Sequence, residues 1–190
     1  MFEGGEGSGK STQAALLAQR LGAVLTREPG GTDIGRRIRS LVLDASVGTA
    51  LDARAEALLM VADRAQHVAE VVRPALDRGV DVVSDRFTAS TLAYQGYARG
   101  LPVSDLARLS SWATGGLEPD IVVLLDLPAE VAATRMKAEA DRMEAAGDYF
   151  HRRVAEGYRA LAAGDPQRWR VIDASGSVQE VEALVVAALS

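Results

Sequence analysis

The run Gly4-Gly5-Glu6-Gly7-Ser8-Gly9-Lys10-Ser11 constrains this chain more than any other segment. It fits G-x-x-x-x-G-K-[ST] and opens directly into an apolar-periodic helix. At the chain's own residue frequencies such a match arises by chance roughly 0.002 times. Glycines let backbone N–H groups converge on phosphate oxygens, and the helix N-terminus adds its positive end. Lys10 is placed to reach β- and γ-phosphates, and the Ser11 hydroxyl to ligate Mg2+. Gly4, Gly5, Glu6, Gly7, Ser8, Gly9, Lys10 and Ser11 are therefore the candidate ATP-binding residues.

Such a loop belongs between a strand and a helix of a parallel sheet, and the rest of the chain has that rhythm. Continuous β-branched runs at Ala23 to Thr26, Val80 to Ser84, Ile121 to Asp126 and Trp169 to Asp173 predict buried strands. Helical spacing predicts helices at 11–21 (stopped by Gly22), 33–43, 52–76 with an interruption near Pro74, 104–113, 129–136 and 148–161. Ser177 with Glu180 three residues on forms a capping box for a last helix ending near Leu189. Strand and helix alternating in this way give an α/β fold with helices on both faces of the sheet. Met1 and Phe2 leave fewer residues than a strand needs before the first helix, which points to a sequence short of its natural start. With no repeat, low-complexity tract or long linker, the expectation is one domain over residues 1–190.

Composition narrows the chemistry. The 190 residues include no Cys, which excludes disulfide and Cys-metal scaffolds. A formal charge of −5 and a pI near 5.1 argue against a sequence-blind nucleic-acid binder. Apolar runs such as Ile121 to Leu125 fall far short of the ~18 residues that span a bilayer. A cytoplasmic protein without membrane or nucleic-acid partners is expected. Lys occurs only at Lys10 and Lys137, the other 19 of the 21 cationic residues being Arg, and Asn is absent. Guanine-reading Asn-Lys-x-Asp or Thr-Lys-x-Asp segments are therefore missing, which disfavours a GTPase switch. Motors usually need more chain, and a small-molecule kinase remains.

Four further segments carry a resemblance: Thr26-Arg27-Glu28-Pro29-Gly30-Gly31-Thr32, Ala62-Asp63-Arg64-Ala65-Gln66-His67, Ser84-Asp85-Arg86-Phe87 running on to Thr91-Leu92-Ala93-Tyr94-Gln95-Gly96, and Asp141-Arg142-Met143-Glu144. In this order and spacing, with the phosphate loop, the chain resembles thymidylate kinases. The bacterial subtype, with no Arg in the phosphate loop and basic residues in the lid, is the closer match. The resemblance implies the P-loop nucleoside monophosphate kinase fold, a five-stranded parallel sheet flanked by helices. It implies transfer of phosphate from Mg-ATP to dTMP, and a homodimer.

Carried over by position, the resemblance gives each residue an expected role. Glu6 would meet the acceptor's 3'-hydroxyl; an anion among phosphate-binding groups costs affinity, and such a cost suggests function. Arg39 would hold the acceptor phosphate with its planar fork, the alternative being the wet helix face that Arg36 and Arg37 share. Arg64 would donate to the pyrimidine, while Gln66 and His67 are expected on the helix surface. Met60 stands where the family often has a stacking Phe. Asp85 is the candidate for Mg2+ or its water shell, and Arg86 for the transferring phosphoryl group; both emerge at the carboxyl end of a strand, where open α/β sheets bind ligands. Thr91 and Gln95 match polar positions at the thymine edge, and Tyr94 a ring that crowds the sugar's 2'-carbon. The lid is expected at about residues 137–147, with Lys137 on a family Arg and Arg142 as its second cation, and the stretch from Leu127 to Asp141 is slightly short. Lys10, Arg86, Arg142 and Lys137 are thus the expected catalytic cations. Trp112, Trp169, Tyr149, Phe150 and Tyr158 are expected in the core or at a dimer contact, Asp126 in a structural turn, and His151 at no metal. A kinase for another nucleoside monophosphate, or a regulatory ATPase with no small acceptor, stays open at this point.

Overall fold

A computed structural model of the chain describes residues 1–44, 51–135 and 142–189. Its centre is a five-stranded, wholly parallel sheet. The strands are β1 (Phe2–Glu3), β2 (Val24–Arg27), β3 (Val82–Asp85), β4 (Val122–Asp126) and β5 (Trp169–Asp173), in the order β2-β3-β1-β4-β5. The helices are α1 (Lys10–Leu21), α2 (Asp33–Leu43), α3 (Ala53–His67), α4 (Arg73–Leu76), α5 (Thr88–Thr91), α6 (Val103–Thr114), α7 (Ala129–Arg135), α8 (Asp148–Gly164) and α9 (Val178–Leu189). None among the described residues is long and apolar enough to cross a membrane.

Side chains of β4 alternate between faces, as strand period requires. Val123 and Leu125 join Phe2, Ala14, Ala18, Ile172, Val181 and Val185 under α1 and α9. Leu124 joins Val42, Tyr94, Phe150, Val154 and Tyr158 on the other face. Helices therefore cover both faces of β4, which is why it reads as an unbroken apolar run.

Three local expectations change. First, the two residues Phe2–Glu3 do make the central strand, because both of its edges are paired: Phe2 with Asp85 and Val123, Glu3 with Leu124. Second, the helix starting at Ala53 is not broken at Pro74. It widens into a π-helical stretch over Val68–Val72 and continues as α4 with Pro74 in its first turn. A wider turn relieves the crowding that a proline ring imposes on the preceding turn. Third, a helix without apolar periodicity forms over Thr88–Ala98, its second part again π-helical. Its N-terminus is capped from a distance: Glu3 Oε1 accepts from Phe87 N at 2.8 Å and Ser90 N at 3.3 Å. No local signal encodes such a cap. The Ser177–Glu180 box forms as expected, Ser177 N donating to Glu180 Oε2 at 2.8 Å and Glu180 N to Ser177 Oγ at 3.3 Å.

The Thr88–Ala98 helix packs against α8, and at Gly157 the two come close. A Cβ there would lie 2.8 Å from both Cβ and Cγ of Tyr97. Overpacking of this kind costs about 1–3 kcal/mol. Gly157→Ala should therefore lower the urea denaturation midpoint with an unchanged slope, and a wild-type midpoint would contradict the close packing.

Candidate active site

The carboxyl ends of β1 and β3 open into one cleft lined by Glu6, Lys10, Ser11, Arg39, Met60, Arg64, Asp85, Arg86, Thr91, Tyr94 and Gln95. The sheet order reverses across β1, so the cleft lies at the topological switch point where open α/β sheets bind ligands. Gly4, the exit from β1, has φ 146°, and a Cβ there would meet Leu125 O at 2.6 Å, so no other residue fits. Lys10 is buried, its Nζ donating to Gly5 O at 2.6 Å and Ser8 Oγ at 3.3 Å. Burial and the neighbouring Arg86 charge push its ammonium down to about 8. The Ser11 hydroxyl donates to Asp85 Oδ2, and Asp85 Oδ1 is buried with no protein partner. A hydroxyl beside a carboxylate oxygen left unpartnered is a hard oxygen pair that fits Mg2+ or its water shell. Ser11 and Asp85 would hold it.

Arg86 follows β3 directly and is the only non-glycine at positive φ among the described residues, at 72°. Such a backbone costs about 1–3 kcal/mol and persists only where surroundings over-determine it. Here Arg86 N donates to Phe2 O at 2.9 Å, and Ser84 Oγ donates to Arg86 O at 2.8 Å. The guanidinium is fixed as firmly. Nη1 donates to Gly4 O at 3.3 Å, Ser90 Oγ at 3.2 Å and Tyr158 OH at 3.2 Å; Nη2 donates to Glu6 Oε1 and to Tyr94 OH at 3.1 Å. Tyr94 OH donates to the same Glu6 oxygen at 2.9 Å. Burial pushes the Glu6 carboxyl up, but Arg86 and Lys10 outweigh it and hold the group at about 2.

On the far side of the cleft, Arg39 Nη1 donates to Pro29 O at 3.1 Å. Arg64 is almost wholly buried: Nε donates to Glu28 Oε2 at 2.9 Å, Nη1 to Thr91 Oγ1 at 3.1 Å and Ser110 Oγ at 3.3 Å, and Nη2 to Phe87 O at 2.9 Å. His67, expected on the helix surface, is instead fully buried, bridging Glu28 Oε1 and Thr26 Oγ1 at 2.7 Å each. Asp63 Oδ1 accepts from Gly30 N at 3.0 Å, and burial together with the Glu28 charge pushes its carboxyl up to about 6.

The remaining expected residues stand elsewhere. Arg142 does not line the cleft: its Nε donates to Val42 O at 2.7 Å and its Nη2 to Glu56, while Met143 beside it does reach the cleft wall. Lys137 and Asp141 lie outside the described residues. Gly7, Ser8 and Gly9 border a second depression with Gln13, Arg135 and Gly176. Tyr158 is in the core as expected, yet its hydroxyl also reaches Arg86 and donates to Glu3 Oε2 at 3.1 Å. Trp112 and Tyr149 are exposed rather than core. Asp126 accepts from Arg159 at 3.0 and 3.1 Å, in keeping with a structural turn. Sequence reasoning missed Glu3, Glu28, Glu56, Ser90, Tyr158 and Arg135 as supports. Glu28 alone carried a signal, lying inside one of the recognised segments.

The family model described as thymidylate kinase matches residues 2–185. A thymidylate kinase of Desulfovibrio desulfuricans is 50% identical over 194 residues, covering 95% of this chain and 89% of the relative. One from Bifidobacterium longum is 49% identical over 191 residues, covering 97% and 93%. The crystal structure of thymidylate kinase from Ehrlichia chaffeensis superposes with a TM-score of 0.83 at 31% identity, covering 100% of this chain and 96% of that one. With the family model spanning nearly the whole chain and relatives about half identical over 95% or more of it, the chain belongs to the thymidylate kinase family.

Proposed function

We propose that the cleft holds ATP and dTMP together and passes the γ-phosphoryl group directly between them, giving dTDP and ADP for dTTP synthesis. The observation that carries this reading is the continuity of the lining: Glu6, Lys10 and Ser11 of the phosphate loop, Arg86, and the Arg39, Arg64 and Gln95 wall belong to one cleft. Phosphoryl transfer proceeds through a loose transition state, so the protein's task is to position the partners and neutralise charge. Lys10 binds the β- and γ-phosphates. Arg86 bridges the transferring group, and its fixed guanidinium needs no reorganisation as charge redistributes. Glu6 accepts from the acceptor's 3'-hydroxyl, and Arg39 grips the acceptor phosphate. Arg64 donates to the base, Thr91 and Gln95 stand at its edge, and Met60 packs on its face. Bound with ATP, Mg2+ supplies charge neutralisation at the phosphate oxygens.

Lys137 and Arg142 are read as the lid cations, which for Arg142 requires release from Glu56 and Val42. The absence of Arg from the phosphate loop supports the bacterial subtype. Exposed Leu58, Leu109 and Trp112 on the mutually packed α3 and α6 support a homodimer across that face. The whole chain is read as one kinase domain working in the cytoplasm. A coupled ADP-release assay tests the substrate directly: turnover should depend on dTMP and exceed that with dCMP or dGMP, whereas ADP release independent of every monophosphate would favour a regulatory ATPase.

Lys10→Ala and Arg86→Ala should each lower kcat by on the order of 10² or more, because their charges matter most in the transition state. A loss confined to KM would contradict this. Lys10, held at about 8, is charged below that pH and neutral above it. The free enzyme's kcat/KM for ATP should therefore fall as pH rises through about 8. In Lys10→Arg that alkaline limb should vanish, and its survival would assign it to another group. Tyr94→Ala should narrow the preference for dTMP over its 2'-hydroxylated counterpart by about 1–3 kcal/mol, while Tyr94→Phe keeps the ring and the preference. An unchanged ratio in Tyr94→Ala would locate ribose exclusion elsewhere.

A further inference from the structure

One fully buried carboxylate, from which Arg142 would be released, is given no contact with either substrate in the proposed mechanism. Glu56, in the first turn of α3, is 0% exposed, and a buried carboxylate persists only where donors meet its oxygens. Its Oε1 accepts from Gln95 Nε2 at 2.8 Å and Arg99 Nε at 3.4 Å. Its Oε2 accepts from Arg99 Nη2 at 3.3 Å and from Arg142 Nη2. Two guanidinium groups thus compensate the charge, and a carboxylate so placed accepts without donating.

That property fixes Gln95. A glutamine amide presents NH2 at one corner and oxygen at the other, and its partners decide which faces which way. Glu56 can take only the NH2 corner. Gln95 is buried and lines the cleft, and no donor among the described residues meets its Oε1. The oxygen is therefore the corner left for a ligand. Thr91, one helical turn earlier, is bonded to the Arg64 guanidinium, so this wall combines an acceptor with donors. Thymine presents an N3–H donor beside a C4 carbonyl acceptor. Cytosine presents the reverse, an N3 acceptor beside a C4 amino donor, and would set lone pair against lone pair at Gln95 and N–H against N–H at Arg64.

We infer, on the proposed reading of this cleft as the dTMP site, that Glu56 is a specificity-determining positioning residue. By anchoring the amide of Gln95, it turns the Gln95 oxygen toward the base, so that the site takes pyrimidines with an N3–H and rejects cytosine. Uracil carries the same edge as thymine and is not distinguished by this device.

The test compares kcat/KM for dTMP, dUMP and dCMP in the wild type, Glu56→Gln, Gln95→Met and the double variant. A glutamine at position 56 can offer either corner, which frees the Gln95 amide to turn. Glu56→Gln should then narrow the dTMP-to-dCMP ratio by about tenfold or more while leaving dTMP-to-dUMP unchanged. In the Gln95→Met background it should narrow the ratio no further. An equal fall for all three acceptors would make Glu56 a structural support, acting through Arg99 and Arg142, and would overturn the inference. So would a wild-type dTMP-to-dCMP ratio in Gln95→Met, a result that does not depend on Glu56→Gln folding. A wild type that fails to turn over dTMP would instead overturn the substrate reading itself.

Discussion

The architecture of the cleft depends on the Arg86–Glu6 ion pair. Its two halves come from different crossovers, Glu6 from the loop after β1 and Arg86 from the residue after β3, and these strands are adjacent in the sheet. Arg86 is half-buried, and a cation so withdrawn from water is stable only with its donors satisfied and its charge balanced. Glu6, Tyr94, Tyr158, Ser90 and Gly4 O do this for Arg86, drawing the phosphate loop, the Thr88–Ala98 helix and α8 around one guanidinium. The strained backbone at Arg86 accompanies these contacts, which carry its guanidinium to Gly4 O and Glu6 in the loop after β1.

Electrostatics in the cleft is arranged before any ligand arrives. Glu6, held at about 2, keeps its charge at neutral pH, and Lys10, held at about 8, keeps most of its own. An anion in a phosphate-binding loop opposes phosphate binding, and Arg86 offsets that opposition locally. On the proposed reading, the carboxylate then remains available as an acceptor for a sugar hydroxyl while the surrounding cations serve phosphoryl oxygens. Asp85, with one oxygen bonded to Ser11 and the other unpartnered, keeps capacity for a metal at the edge of the same charge cluster.

Much of this was legible in the sequence because it is local. The phosphate loop is one continuous run, and Asp85 and Arg86 stand at the end of a recognisable strand. Met60 and Arg64 share a face of α3, and Thr91 and Gln95 share a face of the Thr88–Ala98 helix. What escaped is non-local. Glu28 meets Arg64 across 36 positions, and Tyr158 meets Glu3 across 155. No periodicity announces such partners, because a buried polar group is specified by the three-dimensional accounting of donors and acceptors. His67 shows the same limit: a polar residue beside a site residue reads as surface until Glu28 is seen to bury it. The Thr88–Ala98 helix went unseen for a related reason, its cap being supplied by Glu3 rather than by its own sequence.

The central claim is that both substrates occupy this cleft at once and that the phosphoryl group crosses it in a single in-line step. The most direct measurement is stereochemical: ATP made chiral at the γ-phosphorus with oxygen isotopes is turned over with dTMP, and the configuration of the transferred group in dTDP is determined. One displacement with no covalent intermediate predicts inversion at phosphorus. Net retention would show that the group rests on the protein between two displacements, and would contradict the account.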